Sequence, residues 1–116
     1  MLLTIQDAYD SVPLGNYTTT FRSMVPKETS KGKAYLWTFE VVEGEKTGSE
    51  ISDFSDANSG PTTKNKTGRW LAAIAKKPLE KDVSVNPDKH VGKRYLVIVE
   101  PGTNGKNKIA TFTLLA

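Results

Sequence analysis

Apolar residues recur with period two along most of this chain and with period 3.6 in one short stretch, and that single switch bounds what the chain can fold into. From Asn16 to Val25, Tyr17, Thr19, Phe21, Ser23 and Val25 fall on one face, with Thr18, Thr20 and Arg22 on the other, which predicts a strand. Pro26 to Gly32, PKETSKG, reads as a polar, basic loop. A second strand is expected over Lys33–Val42, with Tyr35, Trp37, Phe39 and Val41 in phase. Glu43-Gly44-Glu45-Lys46 reads as a turn, and Gly48–Phe54 as a weaker third strand. The period then changes. Thr62 or Thr63 offers a hydroxyl cap, and a helix is expected over about Lys64–Lys77, carrying Trp70, Leu71, Ile74 and Ala75 on one side and stopped by Pro78. Period two returns in Lys93–Glu100 and in Lys108–Leu115, joined through the hairpin signal Pro101-Gly102-Thr103-Asn104-Gly105.

The expected order is therefore β-β-β-α-β-β, an all-β class with one helix. It is the order of the OB-fold, a five-stranded Greek-key barrel whose helix plugs one end. Residues 1–15 read as a loosely ordered lead-in and 16–116 as a single OB-fold-like domain. At 116 residues such a domain buries roughly two-thirds of its unfolded surface and needs no staple. There is no cysteine, so disulfides and thiolate metal sites are excluded. The opening MLLTIQDAYDS lacks a basic n-region and a long apolar core, so a secretory signal is not expected. No apolar run approaches the roughly 20 residues of a membrane span. The expectation is a cytoplasmic protein with no membrane partner.

The stretch Gly60-Pro61-Thr62-Thr63-Lys64-Asn65-Lys66-Thr67 falls one residue short of the phosphate-cradling pattern G-x-x-x-x-G-K-[ST], with Asn65 in place of the second glycine. That pattern belongs between a strand and a helix of a parallel α/β sheet, which the strand order here does not supply. A loop and helix start is the better reading. His90 is the only histidine, so a zinc site or a catalytic triad is not expected. Asp53 and Asp56 lie among Ser52, Ser55, Asn58 and Ser59, which is turn chemistry rather than an acid/base pair. No catalytic residue, metal ligand or cofactor is assigned, and an enzyme is not expected.

The charge distribution says more than the net +3. Between Asp56 and Glu80 there are five bases and no acid. On a helical wheel Lys66, Arg69, Lys76 and Lys77 share roughly a 100° arc beside the apolar one. An OB-fold that takes up oligonucleotides uses the face of strands two and three and the loops joining strands 1–2 and 4–5. The first of those loops carries Lys27, Lys31 and Lys33, and the second Lys106 and Lys108. With Arg22, Lys66 and Arg69 these form the candidate phosphate contacts, and Tyr35 and Trp37 the candidate stacking aromatics, although both are in phase with the core residues Phe39 and Val41.

Three segments also resemble a diffuse group of phage- and plasmid-borne, single-stranded-DNA-binding-like OB-fold proteins. They are WTFEVVEGEKTG (Trp37 to Gly48), KNKTGRWLAAI (Lys64 to Ile74) and VGKRYLVIVE (Val91 to Glu100). The resemblance implies an OB-fold and binding of single-stranded nucleic acid, DNA rather than RNA, with little sequence preference, in the host cytoplasm. The alternative is an OB-fold interaction or structural subunit with a protein partner or a second copy of itself.

Overall fold

The computed structural model describes residues 1–3, 12–102 and 106–115. Most of the expected lead-in and the Thr103-Asn104-Gly105 turn therefore lie outside the described residues. The rest forms β1 (Gly15–Thr29), β2 (Gly32–Val41), β3 (Glu50–Asp56), α1 (Lys66–Ala75), a 3-10 turn (Pro87–His90), β4 (Arg94–Pro101) and β5 (Asn107–Leu114). All strand pairs are antiparallel, in the order β3-β2-β1-β4-β5. Placing β4 beside β1 and away from β3 is the Greek-key arrangement, with α1 in the long return connection. The fold is all-β and OB-fold-like, as expected, but the sheet is not closed. Its outer strands β3 and β5 meet through a side chain: Asp53 Oδ2 accepts from the Ile109 amide at 2.9 Å, where a closed barrel would have a ladder bond. No helix among the described residues is long and apolar enough to cross a membrane.

The inner face is aromatic. Phe21, Trp37, Phe39, Tyr95, Phe112 and Trp70 pack ring against ring, Trp70 from α1 meeting Trp37 edge-on at 5.5 Å between centroids. Tilted and edge-on pairs suit the ring quadrupole better than a flat stack. The core's polar atoms are matched. Trp37 Nε1 donates to Ser55 Oγ at 2.9 Å, Thr19 Oγ1 to the Tyr95 carbonyl at 2.9 Å, and the Tyr95 hydroxyl to the carbonyl of Ile74. Burial holds the Tyr95 phenol up at about 12. Among the described residues no buried side-chain polar atom is left without a partner.

Two expectations about β1 are corrected. The segment PKETSKG is not a loop: β1 continues through Thr29 and turns at Ser30-Lys31 straight into β2, Thr29 opposite Gly32. Pro26 is tolerated because β4 pairs with β1 only as far as Thr20↔Arg94, leaving the later half of β1 an edge, where a missing N–H breaks no ladder. The expected phase also fails beyond Phe21. A bulge at Arg22 shifts the register from Phe21↔Phe39 to Ser23↔Thr38. The extra residue exchanges the faces, so Met24 packs against the core and Val25 is exposed.

The stretch GPTTKNKT is a lock at the start of α1. The cap is Asn65, not a threonine: its Oδ1 accepts from Gly68 N at 2.8 Å and Thr62 N at 3.1 Å, and its Nδ2 donates to Gly60 O at 3.0 Å. Thr62 Oγ1 instead holds the preceding turn through the amides of Lys64 and Asn65, each at 3.2 Å. Thr67, buried, donates to the Asp56 carbonyl at 2.6 Å and so ties the helix to the end of β3. Gly68 is needed because a Cβ there would stand 1.8 Å from Thr62 O. The helix ends at Lys76 in a left-handed conformation, φ 52°, two residues before Pro78.

Candidate nucleic-acid interface

Because β-strand side chains alternate, the core residues fix what the other face of β1–β2–β3 presents. Trp37, Phe39 and Ile51 are buried inward. The outward residues then fall into rows that cross all three strands in register. One row is Val25–Leu36–Phe54, apolar throughout, with Phe54 46% and Val25 37% exposed. Beside it runs a hydroxyl row, Ser23–Thr38–Ser52, in which Thr38 and Ser52 hydrogen-bond at 3.2 Å. On the other side lies Lys27–Ala34–Asp56, next to the Ser30-Lys31 turn. The far end is acidic, with Glu40 opposite Glu50.

The structure corrects Trp37 as a stacking residue. It is fully buried between Phe21, Phe112 and Trp70 with its N–H on Ser55, so it has no free face. Tyr35 is on the same side of β2 and half-buried against the core, and so does not join the outer face. The exposed aromatic there is Phe54, which the sequence reading passed over. Its signal was parity: Phe54 alternates with Ile51, Asp53 and Ser55, which share the inward side of β3.

The candidate cations separate into groups. Lys27 is on the outer face beside the apolar row, and Lys31 is at the turn. Lys33 stands opposite Glu28 on the other side of the ribbon. Arg22 is spent on Glu40, with which it forms an ion pair. Lys66 and Lys108 gather instead at the β3–β5 seam. The Lys66 ammonium lies 3.6 Å from Asp53 and 4.3 Å from the Trp70 ring centroid. Burial lowers its pKa, against Asp53, and Lys108 and Arg69 push it the same way as burial. Lys108 pairs with Glu100 at 3.4 Å, and Arg69 donates to the Lys64 carbonyl at 3.1 Å. Lys106 closes the β4–β5 turn through its own carbonyl.

The two basic turns follow different ends of β1. Gly15 pairs with Val99 near the β4–β5 turn, and Thr29 is at the β1–β2 turn. The β4–β5 turn thus follows the pairing at the start of β1, and the β1–β2 turn its end. Lys31 therefore belongs to the β1–β2 turn and Lys106 to the β4–β5 turn.

The aspartates act structurally. Asp53 receives the amides of Phe54 and Ile109 at 2.8 and 2.9 Å besides pairing with Lys66. Asp56 accepts from the Ser59 amide at 3.2 Å and from Asn58 Nδ2 at 3.0 Å, and backbone hydrogen bonds hold its pKa down. Asn58 in turn fastens the ribbon tip, accepting from Lys33 N at 2.9 Å. Among the described residues no three His, Cys, Asp or Glu side chains converge as a metal site would require. No protein-family model matches the chain, and a search of curated proteins returns no match.

Proposed function

We propose that the protein binds single-stranded nucleic acid with little sequence choice on the outer face of β1–β2–β3. The observation that carries the reading is the row Val25–Leu36–Phe54: an exposed aromatic set in an apolar strip across the face that an OB-like barrel offers to ligands, with Lys27 and Lys31 beside it. Phe54 offers a base its ring, and the lysines neutralise phosphates without reading base edges. The adjoining hydroxyls of Ser23, Thr38 and Ser52 bond to any base or sugar. DNA as the ligand, a cytoplasmic setting and a role in phage or plasmid DNA metabolism rest on the resemblance of three segments to that group of proteins.

The test is titration of a labelled single strand of about 20 nucleotides at several salt concentrations. Each phosphate neutralised contributes about −0.7 to the log–log slope, so replacing Lys27 and Lys31 together by alanine flattens it by up to about 1.4. The change should be alike for oligothymidine and mixed sequence. Absence of binding at low salt to any such strand rejects the proposal.

One observation favours a protein partner or a second copy instead. Only one residue of the row is aromatic, and Glu40 and Glu50 bound its far end, where they would repel phosphate. Sedimentation of the protein alone separates the two readings: self-association abolished by Phe54→Glu supports the second.

A further inference from the structure

Beside the middle of β1, Lys93 reaches the only histidine, and Lys77 and Lys89 bring two further positive charges near it. His90 ends the 3-10 turn Pro87–His90, and Lys93 Nζ, just before β4, lies 2.9 Å from His90 Nδ1. An ammonium has only protons to give, so Nδ1 must accept and the imidazole proton must sit on Nε2. Lys89 lies on the same turn and Lys77 just past α1, near enough that both, with Lys93, disfavour a charge on the ring. Burial is the larger cause of its lowered pKa.

The turn is held in place. Gly92 N donates to Phe21 O at 2.9 Å, and Lys77 Nζ is tied to the Ser84 carbonyl at 3.0 Å. Among the described residues the charges that act on the His90 ring are those of the lysines; the carboxylates between Lys77 and Lys93 are Glu80, Asp82 and Asp88. Asp88 is the one carboxylate in residues 87–93. On the strands beside the turn, Arg94 is paired with Glu43 at 3.5 Å and Arg22 with Glu40.

We propose that Lys77, Lys89, Lys93 and His90 form a phosphate-binding site. Its ligand is a phosphate group of the single strand, which rests on the proposed function, or a free polyphosphate. A phosphate seated there favours the imidazolium. Protonation ends the Lys93–His90 hydrogen bond and turns His90 from an acceptor into a fourth donor. Binding and protonation therefore reinforce each other, and strand affinity gains as pH falls through the His90 midpoint, while backbone phosphates keep their charge.

The single histidine makes the test direct, because its Hε1 resonance is one proton signal whose shift against pH gives the midpoint. The titration is run on the full chain alone, with an oligothymidine of about 20 nucleotides, and with inorganic tripolyphosphate, all at matched ionic strength. An opposite charge this close is expected to raise the midpoint by about one unit, and Lys77→Ala with Lys93→Ala to cancel the rise. A rise with both probes assigns the site to the strand, and a rise with tripolyphosphate alone assigns it to free polyphosphate. A midpoint that neither probe moves overturns the proposal, even where the oligonucleotide binds through Phe54. If no oligonucleotide binds but tripolyphosphate raises the midpoint, the proposed function fails and this site stands.

Discussion

Phe54→Ala and Trp37→Ala should fail in opposite ways, and the contrast tests the assignment of the outer face. Phe54 is 46% exposed and stands opposite Leu36 across β2 and β3. Such a pair is worth about 0.2–1 kcal/mol. At about 4 °C per kcal/mol for a domain of this size, Phe54→Ala lowers Tm by no more than about 4 °C. Its effect on binding is larger. Lost stacking costs about 1–3 kcal/mol per base, which is a rise in Kd of roughly 5- to 150-fold, with the salt slope unchanged because no phosphate contact is removed. Trp37 is fully buried. Its truncation costs about 3–5 kcal/mol, a large share of the 5–15 kcal/mol typical of a whole domain, and drops Tm by roughly 12–20 °C. Calorimetry gives the first number, and fluorescence anisotropy with a labelled oligonucleotide at two salt concentrations gives the second. Wild-type affinity in Phe54→Ala would refute the stacking role. A loss of stability in Phe54→Ala as large as that in Trp37→Ala would show that the parity argument for β3 is wrong.

Three further outcomes follow from the core and the helix lock. Ser55→Ala strands the buried Trp37 N–H and should cost about 1–3 kcal/mol in chemical denaturation, with no change in oligonucleotide affinity. Gly68→Ala at an open helix position would stabilise by about 1 kcal/mol, but here the new Cβ meets Thr62 O at 1.8 Å, so the sign should reverse to a loss of about 1–3 kcal/mol. Tyr95 has its folded pKa raised from 10.0 to about 12, so its contribution to stability is whole below pH 10 and is lost as pH climbs from there toward 12. Phenolate absorbance should show one late step that coincides with alkaline unfolding and disappears in Tyr95→Phe.

The succession of strands and helix was legible in the sequence because alternation records that one face of each strand is buried, even without its partners in view. The limits of that record have physical causes. A bulge adds one residue without changing composition, so nothing in TTFRSMV marks Arg22 as the point where the inward set passes from odd to even positions. The ribbon PKETSKG is solvated on both sides and held by backbone bonds, so it has no apolar period and reads as a loop. Both threonines before α1 had the chemistry of a cap, and only the approach of Gly60 and Thr62 to the helix start selects Asn65.

The error over the aromatics has the most consequence for function. In a barrel of this kind an aromatic on β2 or β3 does one of two jobs, filling the core or facing a ligand, and its chemistry is the same in both. What separates them is parity against the core residues of its own strand. On β2 that parity was readable, since Trp37 keeps step with Phe39 and Val41, and it argued for the core. On β3 it rests on Ile51 alone, because the other inward positions hold Asp53 and Ser55, polar residues whose burial depends on partners far along the chain. Asp53 is drawn in by the Ile109 amide and Ser55 by the Trp37 indole. A strand whose inward side is polar for such reasons looks outward in a sequence, and its one exposed ring looks like core. The residue that best marks the candidate site was thus disguised by the same hydrogen bonds that hold β3 in place.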